Sequence, residues 1–306
     1  MLIFLFLPVL ISWLVYRKAF HSPDRTQNND HAVIMSEQME PFSDWIHELI
    51  DTFQARPFEP VSIRSHDGLK LAGRYYHRKD GAPLIICFHG YRGTPIRDFA
   101  GGSLINLNAG YNVLMIYERA HGESEGHAIT FGIEERKDVL SWIEYAVDRF
   151  GPDVKILLNG ISMGAATVLM ASGLPLPSNV KGIVADCPYT SPRAIIRKVC
   201  REDLGIPALP AWPFLLLGAR LFGHFRLNTA ADASRAVKRS PVPILLIHGD
   251  DDRFVPLSMS LEIARSNPGK IDLQIFHGAG HGISYLTDPV RYEETVLKFY
   301  RKCLNA

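Results

Sequence analysis

The sequence predicts an α/β protein with a mainly parallel sheet and helices on both faces, and three observations predict it. Short continuous apolar runs, such as residues 84–88 and 113–117, alternate with longer stretches of helical periodicity. Strands apolar along their whole length belong to a sheet covered on both faces. The pair Asp67-Gly68 separates two alternating runs ahead of them, which adds an antiparallel N-terminal hairpin. Glycine-rich and polar motifs follow directly after the apolar runs, where such sheets bind their ligands.

Residues 1–16 carry no charged side chain, and Arg17 and Lys18 follow. A spanning helix needs ~20 apolar residues, a length reached through Ala19 and Phe20 if the two cations snorkel. A cleavable signal has its basic residues before the apolar run; here they come after it. Residues 1–20 are therefore expected to be an uncleaved single-helix membrane anchor. A buried core helix is disfavoured because the run has no polar face. The positive-inside rule applied to Arg17, Lys18 and Arg25 places the following domain in the cytoplasm. Residues 21–40 are polar and are expected to be a linker, leaving 41–306 as the domain.

Phe42, Trp45, Ile46, Leu49, Ile50 and Phe53 recur at helical spacing. The hairpin follows at 61–64 and 69–76, then strands at 84–88, 113–117, 154–159, 183–186, 243–248 and 271–276. A helical stripe runs through Ile133, Val139, Leu140, Ile143, Val147 and Phe150. Further helices are expected at 163–171, 257–265 and 288–303. Residues 188–240 break the alternation, because a crossover needs only ~10–12 residues. This apolar segment is expected to be a helical, lid-like insertion, the alternative being ordinary packing helices.

The chain has 306 residues, of which 33 are Lys or Arg and 32 Asp or Glu. A nucleic-acid binder carries a basic surplus, so none is expected as partner. Cys87, Cys187, Cys200 and Cys303 form no Cys-x-x-Cys pair, which argues against a zinc or redox motif. No cofactor or metal is called for, and nothing in the sequence speaks to the oligomeric state.

The chemistry is concentrated in Gly160-Ile161-Ser162-Met163-Gly164, which follows an apolar strand and opens a small-residue helix. This strand–turn–helix setting presents a nucleophilic serine above the sheet. A serine hydroxyl needs a base, and the loop after the last strand offers His277 and His281. His281 is preferred because it lies further along the glycine-rich loop, whereas His277 abuts the strand. An acid must hold the imidazole in one tautomer, and Asp250, Asp251 and Asp252 compete for that role. Three consecutive carboxylates do not easily converge on one metal ion. The oxyanion of the intermediate needs N–H donors. One is expected from Met163, after the nucleophile, and the other from Tyr91, in the loop His89-Gly90-Tyr91-Arg92-Gly93 after the strand 84–88. His89 is read as structural.

Together these residues resemble the α/β-hydrolase superfamily, and in particular its bacterial esterase-like and serine-aminopeptidase-like members. The resemblance runs from about Val61 to the C-terminus. It rests on Phe88-His-Gly, Arg119-Ala-His-Gly-Glu-Ser-Glu-Gly, the Ser162 motif, His248-Gly-Asp-Asp-Asp-Arg-Phe-Val-Pro and Gly280-His-Gly. It implies the α/β-hydrolase fold and places the acid at Asp252. Ala120 stands where the family often has Gly. The implied activity is that of a serine hydrolase cleaving a small-molecule ester through an acyl-enzyme, with Ser162, His281 and Asp252 as triad. A peptidase acting on a short peptide is the alternative, and a non-catalytic membrane-tethered scaffold a third reading.

Overall fold

The structure is a computed structural model that describes residues 2–22, 30–31, 37–205, 207–229 and 231–305, with backbone alone for 2–6. In chain order its main elements are α1 (Leu2–Ala19), α2 (Ser43–Gln54), β1 (Glu59–Arg64), β2 (Lys70–Tyr76), β3 (Leu84–Phe88), α3 (Pro95–Asn108), β4 (Asn112–Ile116), α4 (Glu135–Phe150), β5 (Ile156–Ile161) and α5 (Met163–Ala171). Then come β6 (Val180–Asp186), α6 (Pro192–Lys198), α7 (Ala208–Leu221), α8 (Ala233–Ala236), β7 (Ile244–Gly249), α9 (Leu257–Ser266), β8 (Ile271–Phe276), α10 (Ser284–Thr287) and α11 (Pro289–Leu304). The eight strands form one sheet in the order β1-β2-β4-β3-β5-β6-β7-β8. β2 runs antiparallel to β1 and β4, and the remaining pairs are parallel. This is the predicted α/β architecture with its antiparallel start.

Alternate residues of each strand feed two cores. Leu158 of β5 and Ile183 and Ala185 of β6 face one side, while Leu157 and Val184 face the other with α2, α3 and α11. α3 has no counterpart in the sequence reading. Its start signal is present, since Thr94 caps the helix by accepting from the Arg97 N–H at 3.1 Å and Pro95 occupies the first turn. Gly101, Gly102 and two asparagines interrupt its apolar stripe, and that weakens the periodicity.

The N-terminal expectation is corrected. Among the described residues no helix is long and apolar enough to cross a membrane. α1 lies along α7 instead, and its stripe Ser12, Tyr16 and Phe20 is buried. A Cβ on Gly218 of α7 would fall 2.6 Å from the Ser12 carbonyl oxygen, so the close approach of the two helices requires glycine there. The Phe20 ring packs edge-on against Phe131 and Phe225, with centroids 5.9 and 5.2 Å away. Its carbonyl accepts from the Ile129 N–H at 2.7 Å. The sidedness argued from Arg17, Lys18 and Arg25 falls with the anchor. Arg25 lies outside the described residues, as do 23–29 and 32–36 of the expected linker. The described part of that linker is tied down: the Asp30 carboxylate accepts from the Thr94 hydroxyl at 2.5 Å and from Gln54 at 2.8 Å.

A docked α1 makes a measurable claim. Phe20→Ala should lower the unfolding free energy of the whole domain by about 3–5 kcal/mol, read by denaturant melts. An anchor hanging free of the domain would leave the melt unchanged.

Candidate active site

β5 turns into α5 through Ser162, whose backbone sits at φ 52°, ψ −111°. A left-handed φ costs a non-glycine residue ~1–3 kcal/mol and persists only where its surroundings impose it. Here the imposition comes from the two flanking glycines. A Cβ on Gly160 would fall 2.4 Å from Gly164 backbone, and one on Gly164 would fall 1.9 Å from the Phe88 carbonyl oxygen of β3. The turn is thus pressed onto the neighbouring strand, and the Ser162 N–H is held by the Asp186 carbonyl at 2.8 Å. The hydroxyl stands at the N-terminus of α5, the positive end of the helix dipole.

The structure brings Ser162, His281 and Asp252 into one row. Nε2 of His281 lies 2.9 Å from Ser162 Oγ, and Nδ1 lies 2.8 Å from Asp252 Oδ2. Asp252 Oδ1 accepts from the Phe254 and Val255 N–H groups at 2.9 and 2.8 Å. Burial alone would raise its pKa, but hydrogen bonds from His248 and His281 outweigh this and hold the carboxyl well below the usual range. His248 is a residue the sequence reading missed. It is fully buried, with Nδ1 2.7 Å from the Ser260 hydroxyl and Nε2 2.9 Å from the Val255 carbonyl and 3.3 Å from Asp252. Its signal was its place at the end of β7, directly before the aspartate run. The other candidates are spent elsewhere. Asp250 is at the surface, 2.7 Å from His277 Nδ1, and Asp251 accepts from Gln38 at 2.9 Å.

The loop after β3 is braced by two buried histidines. Burial depresses both His89 and His121 to a pKa of about 3, so both are neutral. His89 Nε2 accepts from the Glu118 N–H, and His121 Nε2 accepts from the Arg92 N–H, each at 3.0 Å. The Gly90 N–H donates to Asp98 at 2.7 Å and the Gly93 N–H to the Gly90 carbonyl at 3.0 Å. Among the described residues no partner takes the Tyr91 N–H. The Met163 N–H opens α5 and has no intrahelical acceptor. Gly90 lies against Ser162, a Cβ there falling 3.4 Å from the serine Cβ. The loop that carries the Tyr91 N–H and the start of α5 that carries the Met163 N–H thus both lie against Ser162.

From Ser162 a cavity of about 480 Å³ runs between the sheet and the helices α2, α3, α10 and α11. Ile46, Leu49, Phe99, Ala100 and Leu286 make its wall mostly apolar. No described residue of 188–240 lines it; the expected lid instead packs α7 against α1. Two polar side chains missed by the sequence reading sit in the wall, Asp186 and Asn159. Burial pushes the Asp186 carboxyl up to about 6, against the nearby His248 and a hydrogen bond from Tyr292. Among the described residues two groups of side chains could present metal-ligand atoms. Cys187, Asp252 and His281 form one, which overlaps the row just described. His66, Asp67 and Asp138 form the other, where the Arg119 guanidinium already supplies the cation, 2.9 Å from Asp67 and 2.6 Å from Asp138. All four cysteines are free and buried.

The folded state binds a proton at Asp186 more tightly than the unfolded chain does, so its contribution to stability falls as pH rises from about 4 to about 6. Asp186→Asn should then melt higher than the unsubstituted protein at pH 7.5, by up to roughly 3 kcal/mol for a two-unit shift. The difference should vanish below about pH 4. Equal stability at pH 7.5 would show that the carboxylate is not desolvated.

Comparison with known proteins places this geometry in a family. The chain matches the model of the prolyl oligopeptidase family, Peptidase_S9, over residues 128–306. It is 25% identical over 253 residues to the uncharacterized protein YqkD of Bacillus subtilis (strain 168), covering 83% of this chain and 82% of that protein. It is 27% identical over 224 residues to human protein ABHD12B, covering 65% of this chain and 55% of that protein. In three dimensions it resembles the esterase Pf2001 of Pyrococcus furiosus with a TM-score of 0.68 at 21% identity, covering 89% of this chain and 96% of the other. With more than half of its length matched by one family and its sheet shared with structures of this type, the chain belongs to the prolyl oligopeptidase family of the α/β-hydrolase superfamily.

Proposed function

We propose that the protein is a serine hydrolase that cleaves an ester bond through a covalent acyl-enzyme. The observation that carries this reading is the hydrogen-bonded row Ser162–His281–Asp252, at 2.9 and 2.8 Å. In this mechanism His281 Nε2 takes the Ser162 proton as Oγ attacks the carbonyl carbon. Asp252 holds the Nδ1–H tautomer and stabilises the imidazolium. The tetrahedral oxyanion is met by the N–H groups of Tyr91 and Met163. His281 then returns the proton to the leaving oxygen, and the alcohol departs. Water repeats the cycle on the acyl-serine and releases the acid.

An ester is favoured because the cavity wall is largely apolar and suits an acyl group. Its charged pair is satisfied internally, Arg97 Nε lying 3.0 Å from Asp98. The esterase among the structural neighbours supports the same direction. A peptidase is the second reading, favoured by the family match over residues 128–306.

Ser162→Ala should abolish both turnover and labelling by a fluorophosphonate, with a loss in kcat of ~10⁴ or more. Asp252→Asn should cost roughly 10⁴, and Asp250→Asn should be mild. Nitrophenyl esters should gain up to roughly fourfold in kcat/KM per added methylene from acetyl toward hexanoyl, because each buried CH₂ contributes ~0.8 kcal/mol. Faster cleavage of aminoacyl-nitroanilides than of every ester would favour the peptidase. Full activity in Ser162→Ala would end the serine mechanism.

A further inference from the structure

The apolar cavity below Ser162 carries one feature that a pocket for plain acyl chains does not need. Asp186 closes β6 with its carboxyl in the cavity wall, and its residue is only 4% exposed. Its described partners are hydroxyl groups: Tyr292 hydrogen-bonds to it and Ser284 Oγ lies 3.5 Å away. Asn159 of β5 lines the same wall. One end of its amide meets the Tyr300 hydroxyl at 2.5 Å, and the other end, Oδ1, is buried with no partner among the described residues. A buried polar atom left unpaired costs ~1–3 kcal/mol, and native structures keep few of them.

Strand register places the two groups in depth. Asp186 pairs with Ile161, the residue before Ser162, and Asn159 pairs with Val184 two positions further down β5 and β6. At ~3.3 Å per strand residue, Asn159 lies about 7 Å below the level of Asp186. The serine at the mouth therefore looks down a slot with apolar walls, one carboxyl near the top and one amide at the bottom.

Building on the hydrolase reading, we propose that Asn159, at the bottom of this slot, forms a specificity subsite for an acyl group that is apolar along its length and carries a hydrogen-bond donor, a hydroxyl or a protonated amine, at its far end. The donor hydrogen-bonds to the unpaired Asn159 Oδ1, whereas Asp186, level with Ser162, already has Tyr292 and Ser284 as partners. A purely hydrocarbon acyl group would leave Oδ1 buried without a partner, and that penalty sets the discrimination. The cost of the unpaired Oδ1, unfavourable for folding, is then offset when substrate binds. None of the triad, the oxyanion donors or the two bracing histidines requires the Asn159 side chain.

The test separates this subsite from the hydrolase reading by measuring binding without turnover. Full-length Ser162→Ala protein is titrated calorimetrically with methyl 3-phenylpropanoate, its 4-hydroxy analogue and its 4-methoxy analogue, and with methyl hexanoate against methyl 6-aminohexanoate. The subsite predicts roughly 10- to 100-fold tighter binding of at least one donor-bearing ester over its donor-free partner. The methoxy compound, with the bulk but no donor, should show no gain. The hydroxyl and ammonium arms identify which donor is read. In Ser162→Ala/Asn159→Leu and in Ser162→Ala/Asn159→Ala the preference for either donor should fall to within about twofold. Melting temperature confirms that each variant is folded. Equal affinity for donor-bearing and donor-free esters, or a preference that survives both substitutions, overturns the subsite and leaves Ser162 chemistry untouched. Failure of the unsubstituted protein to label or to turn over any ester would instead remove the hydrolase reading.

Discussion

The constraint on which the rest of the site depends is the pressing of the Ser162 turn onto β3. A methyl group on Gly164 would overlap the Phe88 carbonyl, and one on Gly160 would overlap Gly164 itself. With no room on either side, Ser162 is forced to a positive φ and α5 must start at once. That start supplies the Met163 N–H and the helix dipole. The contact also brings the end of β3 beside the serine, so that the loop 89–93 lies against it. Lengthening the approach by one carbon would disturb Ser162, helix start and loop together.

Around that turn, burial sorts the titratable groups into opposite states. His89 and His121 lose their charge because desolvation outweighs the hydrogen bonds of their Nδ1 atoms to the Gly90 and Arg119 carbonyls, and as neutral rings each can accept the single N–H that braces the loop. Asp252 keeps its charge because two backbone N–H groups and two histidines donate to it. Asp186 has fewer donors, and its proton affinity rises. Two carboxyls at the ends of adjacent strands are thus driven apart by the count of hydrogen bonds each receives.

The N-terminal helix belongs to the same apparatus. The Ala19 carbonyl accepts from the Tyr91 hydroxyl at 3.0 Å, and the Lys18 carbonyl accepts from Arg92 at 2.8 Å. Both side chains leave the loop that presents the Tyr91 N–H. α1 therefore meets the domain at that loop as well as along α7.

Periodicity and local chemistry carried much of this molecule in the sequence alone. Five consecutive apolar residues marked a covered strand, so β3 was legible to the residue; β8 was legible with the same bounds although Asp272 and Gln274 interrupt its apolar residues. The glycine spacing around Ser162 was legible as a motif, and part of its reason, the clash of Gly160 with Gly164, is local, whereas the clash of Gly164 with Phe88 of β3 is tertiary. The histidine loop and the aspartate run after β7 were legible as motifs, although choosing Asp252 among three neighbours needed the family resemblance. What only tertiary structure decided was where apolar or polar surface goes when a local pattern allows more than one partner. Residues 1–20 read as an anchor because all sides are apolar, and nothing local reveals that Gly218, some two hundred positions away, leaves a groove for Ser12 and Tyr16. Residues 188–240 read as a lid because they are apolar, yet their helix α7 serves α1. Asp186 and Asn159 carry no motif, because a polar residue at a strand end gains its meaning from the cavity beside it. Local sterics and periodicity are written along the chain, whereas burial and desolvation arise only when distant segments meet.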